Sequence, residues 1–307
     1  MRSEVGFVGI GQMGLPMVAN LARAGYATVA YDVDSAAAAH AAALTGVNVV
    51  ASPAEVAQRA RVLFTCLPTA DAVQAAYLDR DGVAHAGASG LITCDCSTTT
   101  PEVARSLHEE LGSFGIHHLD APILGTPQQA QKTQIFFAVS GEETQVANIA
   151  PYLRAMGRGY RYVGGPGLAH TVKILQNGLG HAYAAVTAEI LALCQRLDMD
   201  IPTFIGVVKE ARALGWSVYF DTYAAAAASG EDTGGGRLHI SAKDTALVRD
   251  LASEARLPTP ILQETALVFA EAMKAGWAGE EFTAVSRIAA QRGHGCDPED
   301  RDGTENG

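Results

Sequence analysis

The chain has 307 residues, 48% of them apolar, and a formal net charge of −11 from 22 Lys and Arg against 33 Asp and Glu. That length suits two domains, each able to bury a core. The acidic balance, without any run of Lys or Arg, argues against nucleic acid as a partner, and no apolar stretch is long and uniform enough to span a bilayer.

The N-terminus runs straight into an apolar strand pattern at residues 5–10 with no secretory h-region, so a cytoplasmic protein is expected. Similar short runs at 27–31, 62–67 and 91–95 read as buried strands, separated by helical patterns at 13–24, 35–44, 53–60 and 100–111. Strand patterns at 117–119 and 135–140 and a helix at 142–156 follow. This alternation predicts an α/β Rossmann domain over residues 1–163, built on a parallel, doubly wound sheet. Gly164-Gly165-Pro166-Gly167 then breaks the chain. A helical pattern at 168–197 would span ~45 Å at about 1.5 Å per residue. Further helices are expected at 202–213, 217–228, 240–254, 258–275 and 282–291. The second domain, 164–292, is therefore all-α and joined through a long interdomain helix. Glycines 234–236 read as a flexible joint, and the polar, acidic tail 293–307 as disordered. Cys66, Cys94, Cys96, Cys194 and Cys296 form neither a disulfide framework nor a zinc-like spacing, and read as reduced thiols.

Gly9-Ile10-Gly11-Gln12-Met13-Gly14 is a G-x-G-x-x-G between the first strand and the first helix. In that context Gly9 permits the tight turn, Gly11 lets backbone approach a pyrophosphate, and Gly14 allows close helix–strand packing. The helix N-terminus supplies N–H groups and a positive dipole end for phosphates. Asp32 ends the second strand 18 residues past Gly14, where a carboxylate accepts ribose hydroxyls and repels a 2′-phosphate. Asp34 and Ser35 are better placed to cap the next helix. NAD is thus the preferred cofactor and NADP the second choice.

With these residues in view, the chain resembles the β-hydroxyacid dehydrogenase family, which includes 3-hydroxyisobutyrate, tartronate-semialdehyde and 6-phosphogluconate dehydrogenases. The resemblance runs from about residue 4 to residue 290. Gly9-Ile10-Gly11-Gln12-Met13-Gly14-Leu15-Pro16-Met17 is close to the family's cofactor signature. Leu67-Pro68 matches a Leu-Pro that lines the cofactor, and Asp95-Cys96-Ser97-Thr98-Thr99-Thr100-Pro101 resembles a D-x-S-T-x-x-P loop. The likeness implies Thr98 near the nicotinamide, Ser97 at the substrate, and Lys243 of Lys243-Asp244 as a further cofactor contact. Gly167, Lys173 and Asn177 fit the family's G-x5-K-x3-N, which implies Lys173 as catalytic acid/base and Asn177 as its neighbour in substrate binding.

The chemistry agrees with that implication. Oxidising an alcohol carbon releases the hydroxyl proton, and reduction returns it; a lysine withdrawn from water can do both and stabilise an alkoxide-like transition state. Lys173 and Asn177, four apart, project from one helix face. Lys173 is also the one Lys, Arg, Asp or Glu between residues 168 and 187. His170, about one turn earlier, reads as a packing or capping residue near the helix start, and Ser217 is near a family serine that faces the cleft. The loop Asp120-Ala121-Pro122-Ile123-Leu124-Gly125-Thr126 departs from the family's D-A-P-V-S-G-G. Leu124 replaces a hydroxyl donor to the substrate carboxylate. The backbone of Gly125 and Thr126 and the Thr126 hydroxyl remain as anion donors, with Gln128 and Gln129 nearby, and a bulkier or less acidic substrate becomes plausible.

These observations together predict an NAD(P)-dependent dehydrogenase acting on a small hydroxy acid or semialdehyde, with its site in the cleft between domains. The alternatives are an imine reductase of the same fold, which Lys173 argues against, and a non-catalytic cofactor-binding scaffold. A small-molecule substrate and a homodimer or homotetramer are the expected partners.

Overall fold

The computed structural model describes residues 4–213, 215–232 and 235–294. The tail beyond residue 294, Cys296 and Gly234 of the glycine run lie outside the described residues. The chain divides into two compact units, Met1–Leu175 and Gln176–Gly307, a division that falls inside the long helix rather than before it.

Among the described residues the first unit contains nine strands: β1 Glu4–Val8, β2 Thr28–Tyr31, β3 Val47–Val49, β4 Ala60–Thr65, β5 Ile92–Asp95, β6 His117–Asp120, β7 Ile123–Leu124, β8 Phe136–Gly141 and β9 Gly159–Gly164. Their order is β3-β2-β1-β4-β5-β6-β8-β7, with β9 on β8. From β3 to β6 every pairing is parallel, as the sequence predicts. The expectation of a wholly parallel sheet is corrected at one side, where β8 runs antiparallel to both β6 and β7. A short return of the chain after β7 turns β8 around, which the apolar pattern of residues 135–140 could not register.

Side chains alternate across the sheet and build a core on each face. Phe7 and Phe64 face Met17 and Leu21 of α1 (Gly14–Arg23) and Ile149 and Leu153 of α7 (Glu143–Met156). The intervening Val8 and Leu63 face Val56 of α3 (Pro53–Arg59), Val73 and Tyr77 of α4 (Ala70–Leu78) and Leu107 of α5 (Pro101–Ser113). Two helices complete the unit's connections: α2 at Ser35–Ala42 and α6 at Pro127–Gln131. Strand β4 starts two residues earlier than expected, which leaves Cys66 and Leu67 in the loop beyond it.

The long helix α8 covers Leu168–Arg196, close to the expected 168–197. The second unit adds α9 Ile201–Ala211, α10 Val218–Ser229, α11 Leu238–Glu254, α12 Pro260–Lys274 and α13 Ser286–His294. It is all-helical, with Tyr223, Leu238, Phe269 and Val285 at its main core. Gly178 brings α8 against α11: a Cβ there would stand 3.0 Å from Val248 Cγ1. Among the described residues, no helix is long and apolar enough to cross a membrane, and no cluster of His, Cys, Asp or Glu could hold a metal ion.

Candidate active site

In the first unit, each glycine of the loop after β1 has its own physical reason. Gly9 has φ +94°, and a Cβ there would sit 2.3 Å from the Cys66 carbonyl oxygen. A Cβ at Gly14 would sit 2.0 Å from the Gly9 carbonyl oxygen, so α1 can start this close to β1 only without a side chain. Gly11 differs: nothing lies within 4 Å of where its Cβ would be. The space is open on the side where the loop faces the N-terminus of α1. No side chain caps that terminus at Met13, so its first-turn amides are free of side-chain capping. Open space at Gly11 and an uncapped helix start are what a pyrophosphate requires.

Asp32 is tied to this loop. One carboxylate oxygen accepts from the Ile10 N–H at 2.5 Å and the other from the Asp34 N–H at 2.8 Å. Asp34, not Asp32, caps α2 by accepting from the Ala36 N–H. Asp32 is half-buried, Gln12 is exposed and Met13 is half-buried.

Beside this loop, strand register lines up a row of residues across the C-terminal ends of the strands: Val8, Thr65, Asp95, Asp120 and Ser140 stand opposite one another on adjacent strands. The row becomes a buried polar network. Asp95 Oδ1 accepts from the Thr65 hydroxyl at 2.7 Å and from the Ser97 N–H at 3.1 Å. The Ser97 hydroxyl accepts from the Leu67 N–H at 2.9 Å, joining the two loops that carry Leu67 and Thr98. Ser97 is buried, so its observed contact is with the protein, whereas Thr98 and Leu67 are half-buried and Pro68 is exposed.

Two imidazoles complete the network. His118 shares a hydrogen bond with the Thr93 hydroxyl at 2.9 Å, and its Nε2 lies 3.8 Å from Asp120 Oδ1. Burial holds the His118 imidazole below the ordinary histidine range, against the opposing pull of Asp120 and Asp95. Burial likewise pushes the Tyr77 phenol well up, with the Asp95 charge adding to it. His170 of α8 places Nε2 3.7 Å from Asp95 Oδ2, 3.8 Å from Asp120 Oδ1 and 3.4 Å from the Thr99 hydroxyl. Fully buried, it packs on this network, in line with the sequence reading. Lys173 follows on the same helix, half-buried, between buried Ile174 and partly exposed Val172.

The loop at 122–126 leads into a helix cap. Thr126 begins α6 in a capping box: its hydroxyl accepts from the Gln129 N–H and its own N–H donates to Gln129 Oε1 at 3.0 Å. The Thr126 amide is thus engaged inside the loop, because Pro127 starts a helix whose N-terminus needs a cap, while the Thr126 hydroxyl accepts there and keeps its own proton to donate. Leu124 is half-buried and Gly125 exposed, with φ +152°.

In the second unit, Asn177 is buried and its Nδ2 donates to Asp244 Oδ2 at 2.7 Å. The other oxygen of Asp244 lies 3.5 Å from Lys243 Nζ. The unit therefore brings together Asn177 and the Lys-Asp pair. Ser217 caps α10, accepting from the Phe220 N–H at 2.9 Å.

Sequence reasoning assigned no role to Asp95, Asp120, Ser140, His118 or Asp244. The signal for the first two was a carboxylate at the end of a short apolar strand. Ser140 carried no local signal, because its partner is 29 residues away in the chain, and Asp244, visible in sequence as half of the Lys243-Asp244 pair, gave no sign of its partner 67 residues away.

A family model described as the NAD binding domain of 6-phosphogluconate dehydrogenase matches residues 4–164. A second, described as NAD-binding of NADP-dependent 3-hydroxyisobutyrate dehydrogenase, matches residues 167–289. An NAD-dependent L-serine dehydrogenase of Pseudomonas aeruginosa is 28% identical over 291 residues, covering 93% of this chain and 97% of the relative. The solved structure of a 3-hydroxyisobutyrate dehydrogenase from Salmonella typhimurium superposes with a TM-score of 0.83 at 29% identity, over 93% of this chain and 99% of that one. An imine reductase from Myxococcus stipitatus superposes at 0.61 with 18% identity, over 93% and 99% of the two chains, a likeness of fold alone.

Proposed function

This chain belongs to the β-hydroxyacid dehydrogenase family, NAD(P)-using oxidoreductases acting on CH–OH groups, and we propose that it interconverts a small hydroxy acid and its semialdehyde with Lys173 as general acid/base. The observation that carries this reading is Lys173 itself: a half-buried lysine in the first turns of α8, in a stretch with no other Lys, Arg, Asp or Glu from residue 168 to 187. Gly9, Ile10, Gly11, Gln12, Met13 and Gly14 would hold the pyrophosphate, Asp32 the adenosine ribose, and Leu67, Pro68 and Thr98 the nicotinamide end. Lys243 is assigned to the cofactor as well. The nicotinamide supplies the acceptor or donor of hydride when bound. Lys173 Nζ takes the hydroxyl proton as the alcohol is oxidised and returns it to the developing alkoxide on reduction. Asn177, its amide nitrogen anchored by Asp244, directs its remaining oxygen to the substrate.

The Asp32 carboxylate favours NAD over NADP, because a 2′-phosphate would meet like charge. The substrate is less strongly gripped as an anion than the family pattern provides. Leu124 is aliphatic, and the Thr126 amide already serves Gln129, which leaves the Thr126 hydroxyl proton as the side-chain donor of this loop. This same observation favours the second reading, reduction of an uncharged imine. An assembly of two or four chains is supported by an exposed apolar stripe on the second unit's part of α8: Leu179, Val186, Ile190 and Leu193.

The test is absorbance at 340 nm with NAD and NADP. The panel holds L-serine, 3-hydroxyisobutyrate, glycerate, L-threonate, 4-hydroxybutyrate, sulfonate analogues, the matching semialdehydes with reduced cofactor, and cyclic imines. Oxidation of an alcohol, lost in Lys173→Met with cofactor affinity kept, is the expected result. Turnover of imines alone, or full turnover by Lys173→Met, would overturn the assignment.

A further inference from the structure

We propose that Asp120 and Ser140 are positioning residues that cap the start of the long helix from the sheet and thereby fix where Lys173 stands. The inference rests on the reading of Lys173 as the proton-transfer residue.

A helix leaves its first-turn N–H groups without intrahelical partners, and a side chain just before it normally supplies the cap. Helix α8 is entered through Gly165-Pro166-Gly167, which has no side-chain oxygen and, at Pro166, no amide proton. The cap is supplied from the strands instead. The Gly167 N–H donates to Asp120 Oδ2 at 2.7 Å, 47 residues away, and the Ala169 N–H donates to Ser140 Oγ at 3.0 Å, 29 residues away. The Ser140 hydroxyl in turn donates a hydrogen bond to the same Asp120 oxygen at 2.5 Å, so acceptor and donor roles are both used. A carboxylate at this end also complements the positive end of the helix dipole.

The entry is fixed in a second way. Gly167 has φ +86°, and a Cβ there would meet the Pro101 carbonyl oxygen at 2.8 Å, so the turn is pressed against the start of α5. His170, one turn on, lies within 3.8 Å of both Asp95 and Asp120. Burying a carboxylate is costly unless every oxygen is served, and a local Ser or Asp would cap a helix without that cost. What the distant cap adds is a lock of helix onto strand ends: Asp120 sits in register with Asp95, whose loop carries Thr98. A helical residue six positions past the cap inherits any rotation or shift of that first turn, and proton transfer is sensitive to displacements on the order of 1 Å.

The experiment compares Ser140→Ala, Ser140→Thr, Asp120→Asn and Lys173→Met in the full chain. Oxidation of L-serine and of 3-hydroxyisobutyrate by NAD is followed from about pH 6 to 10, with thermal unfolding and amide hydrogen exchange over residues 166–174. We expect Ser140→Ala to speed exchange at the helix start and lower kcat per folded molecule by roughly 10- to 100-fold, with the KM for NAD within about twofold. Ser140→Thr, which keeps the hydroxyl, should stay within about threefold of wild type. Asp120→Asn should displace the pH profile of kcat. A lowered unfolding temperature in Ser140→Ala with kcat per folded molecule and pH profile unchanged would reduce the network to a structural cap and overturn the inference. Unchanged exchange would also refute it. Loss of turnover in Lys173→Met alone, with both Ser140 variants at wild-type kcat, sinks the positioning role and leaves the reading of Lys173 standing. Wild-type turnover by Lys173→Met sinks both.

Discussion

The three glycines of the loop after β1 make separable demands, and alanine substitution at Gly11 and Gly14 tells fold from ligand. At Gly14 the new Cβ would lie 2.0 Å from the Gly9 carbonyl oxygen, about 1 Å inside the closest tolerated approach of about 3 Å. Backbone must move, at a cost of about 3 kcal/mol, the upper end of ordinary overpacking. That corresponds to an unfolding temperature lowered by roughly 6–12 °C for a domain of this size. At Gly11 nothing lies within 4 Å and φ is not positive, so Ala costs no contact and stabilises by about 0.4–1 kcal/mol through the unfolded chain. Its methyl group instead occupies the open side of the loop and holds a pyrophosphate off the backbone. Losing one charge-assisted hydrogen bond, worth about 1.5–3 kcal/mol, weakens NADH binding by roughly 10- to 100-fold. Unfolding followed by circular dichroism without cofactor, and NADH titration by calorimetry, read the two effects apart. Wild-type NADH affinity in Gly11→Ala would refute the assignment of that open space to the cofactor. So would a larger loss of stability at Gly11 than at Gly14.

Asp32→Asn keeps an acceptor for the Ile10 N–H but removes the charge, and should shift the NADPH-to-NADH ratio of kcat/KM upward by about tenfold or more; an unchanged ratio would show that the carboxylate does not meet the ribose. His118 is held neutral by burial, with Thr93, Tyr77, Asp95, Asp120, His108 and His170 as its polar surroundings. Its folded pKa lies below the unfolded value near 6.5, so as pH falls below about 6.5 the unfolded chain binds the proton first and stability drops, by at most about 1.4 kcal/mol per pH unit. His118→Asn should flatten the fall in denaturation midpoint between about pH 6.5 and 5 relative to wild type, and an equally steep fall would contradict this account. Asp244→Ala leaves the buried Asn177 amide without its acceptor and should raise substrate KM or lower kcat by about tenfold while NADH affinity is retained, as measured by steady-state kinetics and titration.

Much of this protein is legible in its sequence because the signals are local. Strand–loop–helix periodicity announces the parallel half of the sheet, and Gly9, Gly11 and Gly14 sit at the spacing of a tight βα turn that receives a pyrophosphate. Asp32 and Lys173 stand out because each is a charge at the end of, or inside, an apolar run. Elements with weak or mixed patterns were missed: β3 is three residues long, β9 is bounded by glycines, and α6 is a five-residue helix set by its Thr126–Gln129 capping box. The antiparallel β8 was invisible because strand direction depends on where the chain returns, not on which residues are apolar. The same limit governs the site. Sequence determined which residues are assigned to the chemistry, since glycine, aspartate and lysine are chosen by the local backbone and charge they provide. Only the tertiary structure decided which side chains hold them, because Asp120, Ser140 and Asp244 act on amides and side chains 29 to 67 residues away. Hydrogen bonds of that reach leave no periodicity in the chain, and they exist only once strand register has set Asp95, Asp120 and Ser140 side by side.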